Sequence, residues 1–196
     1  MANFKLKTPI SEEEIRKIRV GDILHLSGIA ITARDHAHIQ ALEYLEQGKE
    51  IPVDFKGLVL YHCGPLVRKK DGGWEVLAAG PTTSMRMDSL EGQFIEKFRP
   101  SVVIGKGGMG KNTAEAAKKF GAIYCDFTGG AAVLAAKAIE EIQGVEWLDL
   151  GMPEALWIFK INEFGPVVVT IDSTGKNLHD DLTREIEAKK AKILGL

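Results

Sequence analysis

Three cations and a run of hydroxyls stand where this chain could do chemistry on an anion. Gly80-Pro-Thr82-Thr83-Ser84-Met-Arg86-Met-Asp88 packs three hydroxyls and an arginine into one segment, Arg34 follows Thr32-Ala33, and Lys106 sits in the run Gly105-Lys-Gly-Gly-Met-Gly110. A guanidinium holds a carboxylate through two parallel hydrogen bonds, so Arg34, Arg86 and Lys106 in one place would suit a substrate with two carboxylates. A threonine or serine hydroxyl is a weak base alone and needs a neighbouring carboxylate to exchange a proton with. No dedicated base stands beside Thr82, so a group is missing. The bland reading of residues 80–88 is a surface turn whose hydroxyls cap the next helix.

The glycine-rich run follows the apolar Val102-Val-Ile104 and precedes a helix, a place where backbone amides can hold an anion. Three functional readings and a bland one apply. As G-x-x-x-x-G-K it resembles a phosphate-cradling P-loop, but Asn112 stands where that motif needs the Ser or Thr that binds magnesium. As G-x-G-x-x-G through Gly105, Gly107 and Gly110, with Asp126 about 20 residues on, it resembles a dinucleotide site. In the third reading, the glycines let the backbone approach closely and bring Lys106 to a small anion such as a carboxylate. In the bland one, they serve only a tight strand-to-helix turn.

The elements that must position these groups are legible in outline. An extended Phe4–Thr8 leads to a capping box, Ser11-Glu-Glu-Glu14, that opens a short helix to about Arg19. Residues 1–20 read as an N-terminal clasp. Ile23–Ile31, Gly57–Tyr61 and Trp74–Ala79 alternate like strands, with Asp71-Gly-Gly73 as a turn signal. Asp35 reads as the N-cap of a helix from His36 to about Gln47, with Gly48 ending it. After residue 80, strand and helix alternate: helix 88–98, strand 101–105, helix 112–120, strand 122–127, helix 130–142. That rhythm implies parallel strands with right-handed crossovers. A strand pair, 155–161 and 166–171, turns at Asn162–Gly165, and a helix from about 177 to 194 closes the chain. Thr82, Arg86, Arg34 and Lys106 all fall in strand-end loops, where ligands gather in α/β proteins.

Composition narrows the class. With 196 residues, 45% hydrophobic and 27% charged, the chain can bury a core as one domain, without repeats or an interdomain linker. A net charge of −2 gives no field for nucleic acid, and no run approaches the ~18 apolar residues of a membrane span. The N-terminus lacks a signal-peptide pattern, so a cytoplasmic location is expected. Cys63 and Cys125, the two cysteines, are not at metal-ligand spacing and read as buried, reduced thiols. His25, His62 and His179 show no cluster spacing and read as structural; no metal ligand is expected in this chain.

Taken in order, Thr32-Ala-Arg34-Asp35-His36-Ala-His38, Gly80–Asp88, Gly105–Met109 and Asp126-Phe-Thr-Gly-Gly130 resemble the beta subunit, or C-terminal domain, of class I fumarate hydratases and the related L-tartrate dehydratases. The likeness runs from about Gly21 to Asp172. Ala33 and His36 depart from it, standing where glycine and alanine are common.

The resemblance implies a three-layer swivelling β/β/α fold with a mixed sheet, within the α/β class. It also implies an oxygen-sensitive hydro-lyase that interconverts fumarate and L-malate, or dehydrates L-tartrate. Its 4Fe-4S cluster would be carried by three cysteines of a partner alpha subunit in a hetero-oligomer, leaving one iron open as a Lewis acid on the substrate hydroxyl. Two cysteines here are too few to hold such a cluster. By the same resemblance, Arg34, Arg86 and Lys106 bind the dicarboxylate. Thr82 meets it near the reacting carbon, with an aspartate of the alpha subunit as its partner, and Thr82 and Lys106 are the catalytic candidates. Asp35, His38 and Thr83 stand behind them.

Overall fold

The computed structural model describes residues 1–70 and 72–194. Its centre is a mixed seven-stranded sheet that closes on itself. The strands are β1 (Asn3–Lys7), β2 (Ile23–Thr32), β3 (Val59–Tyr61), β4 (Leu66–Lys70), β5 (Gly73–Ala78), β6 (Val102–Gly105), β7 (Ile123–Asp126), β8 (Ile139–Glu146) and β9 (Leu156–Ile171). The sheet order is β1-β2-β3-β6-β7-β9-β8, and an additional pairing of β2 with β9 closes the five strands from β2 to β9 into a ring, with β1 and β8 at its edges. β2, β3, β6 and β7 are mutually parallel, β9 runs against β2 and β7, and β4-β5 is a separate hairpin. The α/β class and the mixed sheet are therefore as the sequence implies.

β3, β6 and β7 are buried on both faces, whereas β2 alternates buried and half-buried positions over its first half. Val59, Tyr61, Val102, Ile104, Ile123 and Cys125 point to one core with Trp157, Phe159 and Phe164. The residues between them, Leu60, Val103 and Tyr124, point to a second core with Phe55, Phe94, Ile95 and Phe98. The helices are α1 (Glu12–Ile15), α2 (Asp35–Glu46), α3 (Asp88–Phe98), α4 (Lys111–Phe120), α5 (Ala132–Lys137) and α6 (Leu178–Leu194). α2, α3 and α4 supply the second core through Ala37, Ala41, Leu42, Phe94, Ile95, Ala114 and Ala117.

Several boundaries differ from expectation, each for a physical reason. The capping box at Ser11 forms, but α1 stops at Ile15. Asp35 is the first residue of α2 rather than its cap: Arg34 occupies the extended cap position, and the free amide of His36 donates to Glu154 Oε2 at 3.0 Å. The helix expected over 130–142 ends at Lys137, and its second half is β8. Ile139, Ile142 and Val145 recur every three residues, as on a helix, yet two bulges each insert one extra residue into β8. The three thus face Ile161, Phe159 and Trp157 of β9 on one side of the sheet. The hairpin expected at Asn162–Gly165 is also absent. Glu163 takes φ 48° and bends β9 without reversing it, so its two halves pair with β2 in succession. Of the turn signal at 71–73, Asp71 lies outside the described residues.

Candidate active site

β2, β3, β6 and β7 bring their carboxyl ends to one side of the sheet, and the residues singled out for chemistry leave from there. Arg34 follows β2, His62 to Gly64 follow β3, Lys106 follows β6 and Asp126 ends β7. Residues 80–87 lie across these ends. The Thr82 amide donates to the His62 carbonyl at 2.7 Å, the Ser84 amide donates to the Lys106 carbonyl at 3.1 Å, and Thr83 forms a bridge with Lys106. A single 3₁₀ turn, Ser84–Met87, then feeds directly into α3.

The side chains meet as follows. The Arg86 fork is occupied by the chain's own Asp35, with Nε donating to Oδ1 at 3.1 Å and Nη2 to Oδ2 at 2.9 Å. Nη2 also donates to the Thr82 hydroxyl oxygen at 3.1 Å. This leaves the Thr82 proton free and places a cation against its oxygen, which favours any negative charge that develops there. The Arg86 hydrogen bond and charge hold the Asp35 carboxyl below its ordinary range, and Asp35 raises Arg86 in turn. Arg34 Nε lies 3.3 Å from Glu154 Oε1, and its guanidinium runs against Gly64, where an added Cβ would stand 2.6 Å from Nη1. Lys106 extends over Gly129 in the loop after β7, its Nζ 3.5 Å from where a Cβ would be. Arg86 thus meets Thr82 and Asp35, Arg34 meets Glu154, and Lys106 leaves the neighbouring strand end over Gly129. Among the described residues, no carboxylate hydrogen-bonds Thr82.

Beneath this surface lies a chain of fully buried polar groups. The His38 Nδ1–H donates to the Arg34 carbonyl at 2.8 Å, and its Nε2 faces Glu91 Oε2 at 3.1 Å. His62 Nε2 meets the same oxygen at 3.0 Å, and its Nδ1 lies 2.9 Å from the Ser84 hydroxyl. Burial opposes charge on Glu91, but the two imidazoles facing it outweigh that and take its carboxyl down to about 2. Burial also opposes charge on His38, where hydrogen bonding to Glu91 wins and raises it; on His62 burial wins and lowers it.

His38 thus holds the backbone carbonyl of Arg34. His62 does far more than fill the core. Its cluster with His38 and Glu91 is invisible as spacing, because the three come from α2, the end of β3 and α3. One sequence signal was available: Glu91 stands on the α3 stripe Glu91-x-x-Phe94-Ile95-x-x-Phe98, where an apolar residue belongs. Gly64 and Glu154 had no local signal, since their roles depend on contacts with Arg34 that the fold creates.

The glycine-rich loop is already filled by the chain's own groups. Asp88 Oδ1 accepts from the Gly110 amide at 2.8 Å, the Thr113 amide at 3.3 Å and the Thr113 hydroxyl at 2.7 Å, taking the helix N-terminus a phosphate would need. Asp126 accepts from the Gly108 amide at 3.1 Å, from the Tyr124 hydroxyl at 3.2 Å and from His179 at 2.7 Å. The amides of Gly108, Gly110 and Thr113 are therefore already paired inside the protein, which counts against both nucleotide readings. What remains of the loop is its delivery of Lys106, with Gly107 and Gly108 at φ 79° and 75° making the turn.

The class that fold and site define is an α/β domain with arginine, lysine and hydroxyl groups at the carboxyl ends of its parallel strands and, among the described residues, no carboxylate on the Thr82 hydroxyl. Comparison with known proteins makes this specific. Residues 1–182 match the family described as Fumarase C-terminus, and the chain belongs to that family. It is 48% identical over 173 residues to the L(+)-tartrate dehydratase subunit beta of Escherichia coli (strain K12), covering 88% of this chain and 85% of that one. It is 36% identical over 188 residues to a Methanocaldococcus jannaschii protein named "Putative L(+)-tartrate dehydratase subunit beta", covering 95% and 96% of the two chains. A longer Geobacillus stearothermophilus protein, "Putative fumarate hydratase class I", is 43% identical over 180 residues, which are 91% of this chain and 34% of that one.

Proposed function

We propose that this chain is the beta subunit of a two-subunit hydro-lyase that adds water to, or removes it from, a four-carbon dicarboxylate. The observation that supports this reading is that Arg34, Lys106 and the segment carrying Thr82 and Arg86 all lie at the carboxyl ends of the parallel strands, with no carboxylate on Thr82 among the described residues. Arg34, Arg86 and Lys106 hold the substrate's two carboxylates. Arg86 keeps its Asp35 pair and binds with its remaining N–H groups, so Asp35 orients the guanidinium rather than competing for it. Thr82 stands at the reacting carbon, its oxygen already against Arg86 Nη2, and moves a proton in concert with a carboxylate from the alpha subunit.

The thiols of this chain do not suit an iron-sulfur cluster. Cys63 and Cys125 are buried in the sheet core and burial pushes both thiols up, whereas cluster ligands are thiolates at an accessible site. The 4Fe-4S cluster that the family resemblance implies therefore belongs to the alpha subunit. When bound there it supplies a Lewis acid for the substrate hydroxyl.

L-Tartrate stands level with fumarate and malate as the substrate. Full-length relatives are named as tartrate dehydratase beta subunits, while the chain matches about a third of the fumarate hydratase relative. No helix among the described residues is long and apolar enough to cross a membrane. Buried free thiols fit a reducing compartment, and we place the hetero-oligomer in the cytoplasm.

The test is anaerobic turnover of fumarate, malate and L-tartrate by this chain, by its cluster-bearing partner, and by the two reconstituted. Activity confined to the mixture supports the shared site and identifies the substrate. A mixture that assembles with an intact cluster and leaves all three acids unchanged refutes it.

A further inference from the structure

The Ser84-His62-Glu91-His38 chain is fully buried and lies behind the candidate site rather than in it. Its proton positions follow from its partners. With Glu91 ionised, its oxygens only accept, so both Nε2 atoms that meet Oε2 carry protons, while Oε1 has no partner. The Arg34 carbonyl also only accepts, so His38 Nδ1 carries one too, which makes His38 an imidazolium paired with Glu91. His62 has its one proton on Nε2, leaving Nδ1 to accept from the Ser84 hydroxyl. Each side chain comes from a different element: α2, the end of β3, α3 and the 3₁₀ turn.

Burying such an ion pair costs free energy that a well-packed apolar set of the same volume would not. Core stability therefore does not account for it, and what it is attached to does. One end holds the carbonyl of Arg34. The other holds Ser84, inside the segment that carries Thr82 and Arg86, and the backbone carbonyl of His62 holds the Thr82 amide at 2.7 Å.

We propose that this buried chain is a positioning relay that sets the Arg34 corner and the Thr82–Arg86 segment in register, so that two carboxylates of one substrate meet both guanidinium groups together. The proposal rests on the dicarboxylate reading above. His62 and Glu91 are positioning residues and touch no substrate. The Nε2–Oε2 separations of 3.1 and 3.0 Å are hydrogen-bond lengths, but Glu91 Oε1 has no partner and the same three side chains could hold a metal ion, so metal content is one readout of the test.

The experiment uses Ser84→Ala and Glu91→Gln in the full chain, with and without the partner. In the isolated wild-type chain, ring ¹⁵N spectra should show His38 doubly protonated and His62 protonated on Nε2. Ser84→Ala should accelerate hydrogen exchange at the Thr82 amide at least tenfold while the melting temperature stays within a few degrees. In the reconstituted complex, both variants should raise KM for the dicarboxylate at least fivefold, with a smaller change in kcat and unaltered assembly. An unchanged Thr82 exchange rate, an unchanged KM, or a stoichiometric metal ion lost in Glu91→Gln would overturn the relay. The exchange and ring spectra do not depend on turnover, so an inactive wild-type complex would refute the dicarboxylate reading and leave the relay judged on its own measurements. Should Glu91→Gln not fold, Ser84→Ala and the wild-type spectra decide.

Discussion

Gly64 offers a way to displace Arg34 without touching it. Its backbone is not in the left-handed region, so alanine there meets no conformational penalty and its effect is steric. An added Cβ would stand 2.6 Å from Arg34 Nη1, 2.7 Å from the Pro153 carbonyl oxygen and 2.9 Å from Pro153 Cβ. All three are below normal contact distance. The guanidinium is the end of a flexible side chain and can move, whereas the Pro153 carbonyl is backbone held in the loop that also carries Glu154. The strain therefore divides between a shift of that loop and a swing of Arg34 away from Glu154. Overpacking of this kind costs about 1–3 kcal/mol of stability. Displacing a substrate-positioning group by about 1 Å costs on the order of 100-fold in turnover. Gly64→Ala should thus lower the melting temperature modestly while reducing kcat/KM of the reconstituted complex by about two orders of magnitude. Gly73→Ala, where a Cβ meets nothing within 4 Å, is the matched control. The assay is anaerobic steady-state kinetics on fumarate, malate and L-tartrate, with thermal melting alongside. Wild-type kcat/KM in Gly64→Ala would refute the placement of Arg34 in the site.

Three further outcomes follow from other parts of the molecule. Asp35→Asn removes the carboxylate that grips Arg86 in a partly exposed pair, so stability should change by no more than about 1 kcal/mol while KM rises about tenfold, read by melting and kinetics together. Glu91 is held at about 2 against an ordinary 4.5, so its stabilising share is present above pH 4.5 and lost as pH falls toward 2; Glu91→Gln should flatten the acid limb of the stability curve in that window, measured by denaturant titration at stepped pH. Asp88→Ala leaves the amides of Gly110 and Thr113 and the Thr113 hydroxyl without their acceptor, which should cost about 1–2 kcal/mol, and magnesium with ATP should stabilise the wild-type chain by nothing measurable in the same melting assay.

Local pattern determined much of the framework because it reports local physics. The strand signals at Gly57–Tyr61, 101–105 and 122–127 place β3, β6 and β7, and the helices between them carry their own periodicity. The same pattern misread 139–142 and 162–165, because bulges and one residue at φ 48° are resolved by pairing with β9 and β2 rather than by neighbours in sequence. At the candidate site, residue type and placement in strand-end loops made Arg34, Thr82, Arg86 and Lys106 candidates for an anion with two carboxylates. It could not show that Asp35 already fills the Arg86 fork, that Glu154 reaches Arg34 from 120 residues away, or that Asp88 and Asp126 occupy the amides of the glycine-rich loop. Those facts depend on which strand ends share one side of the sheet. Side-chain chemistry is written in the residue, whereas the pairing of charges is decided only when the closed sheet brings distant loops within hydrogen-bond reach.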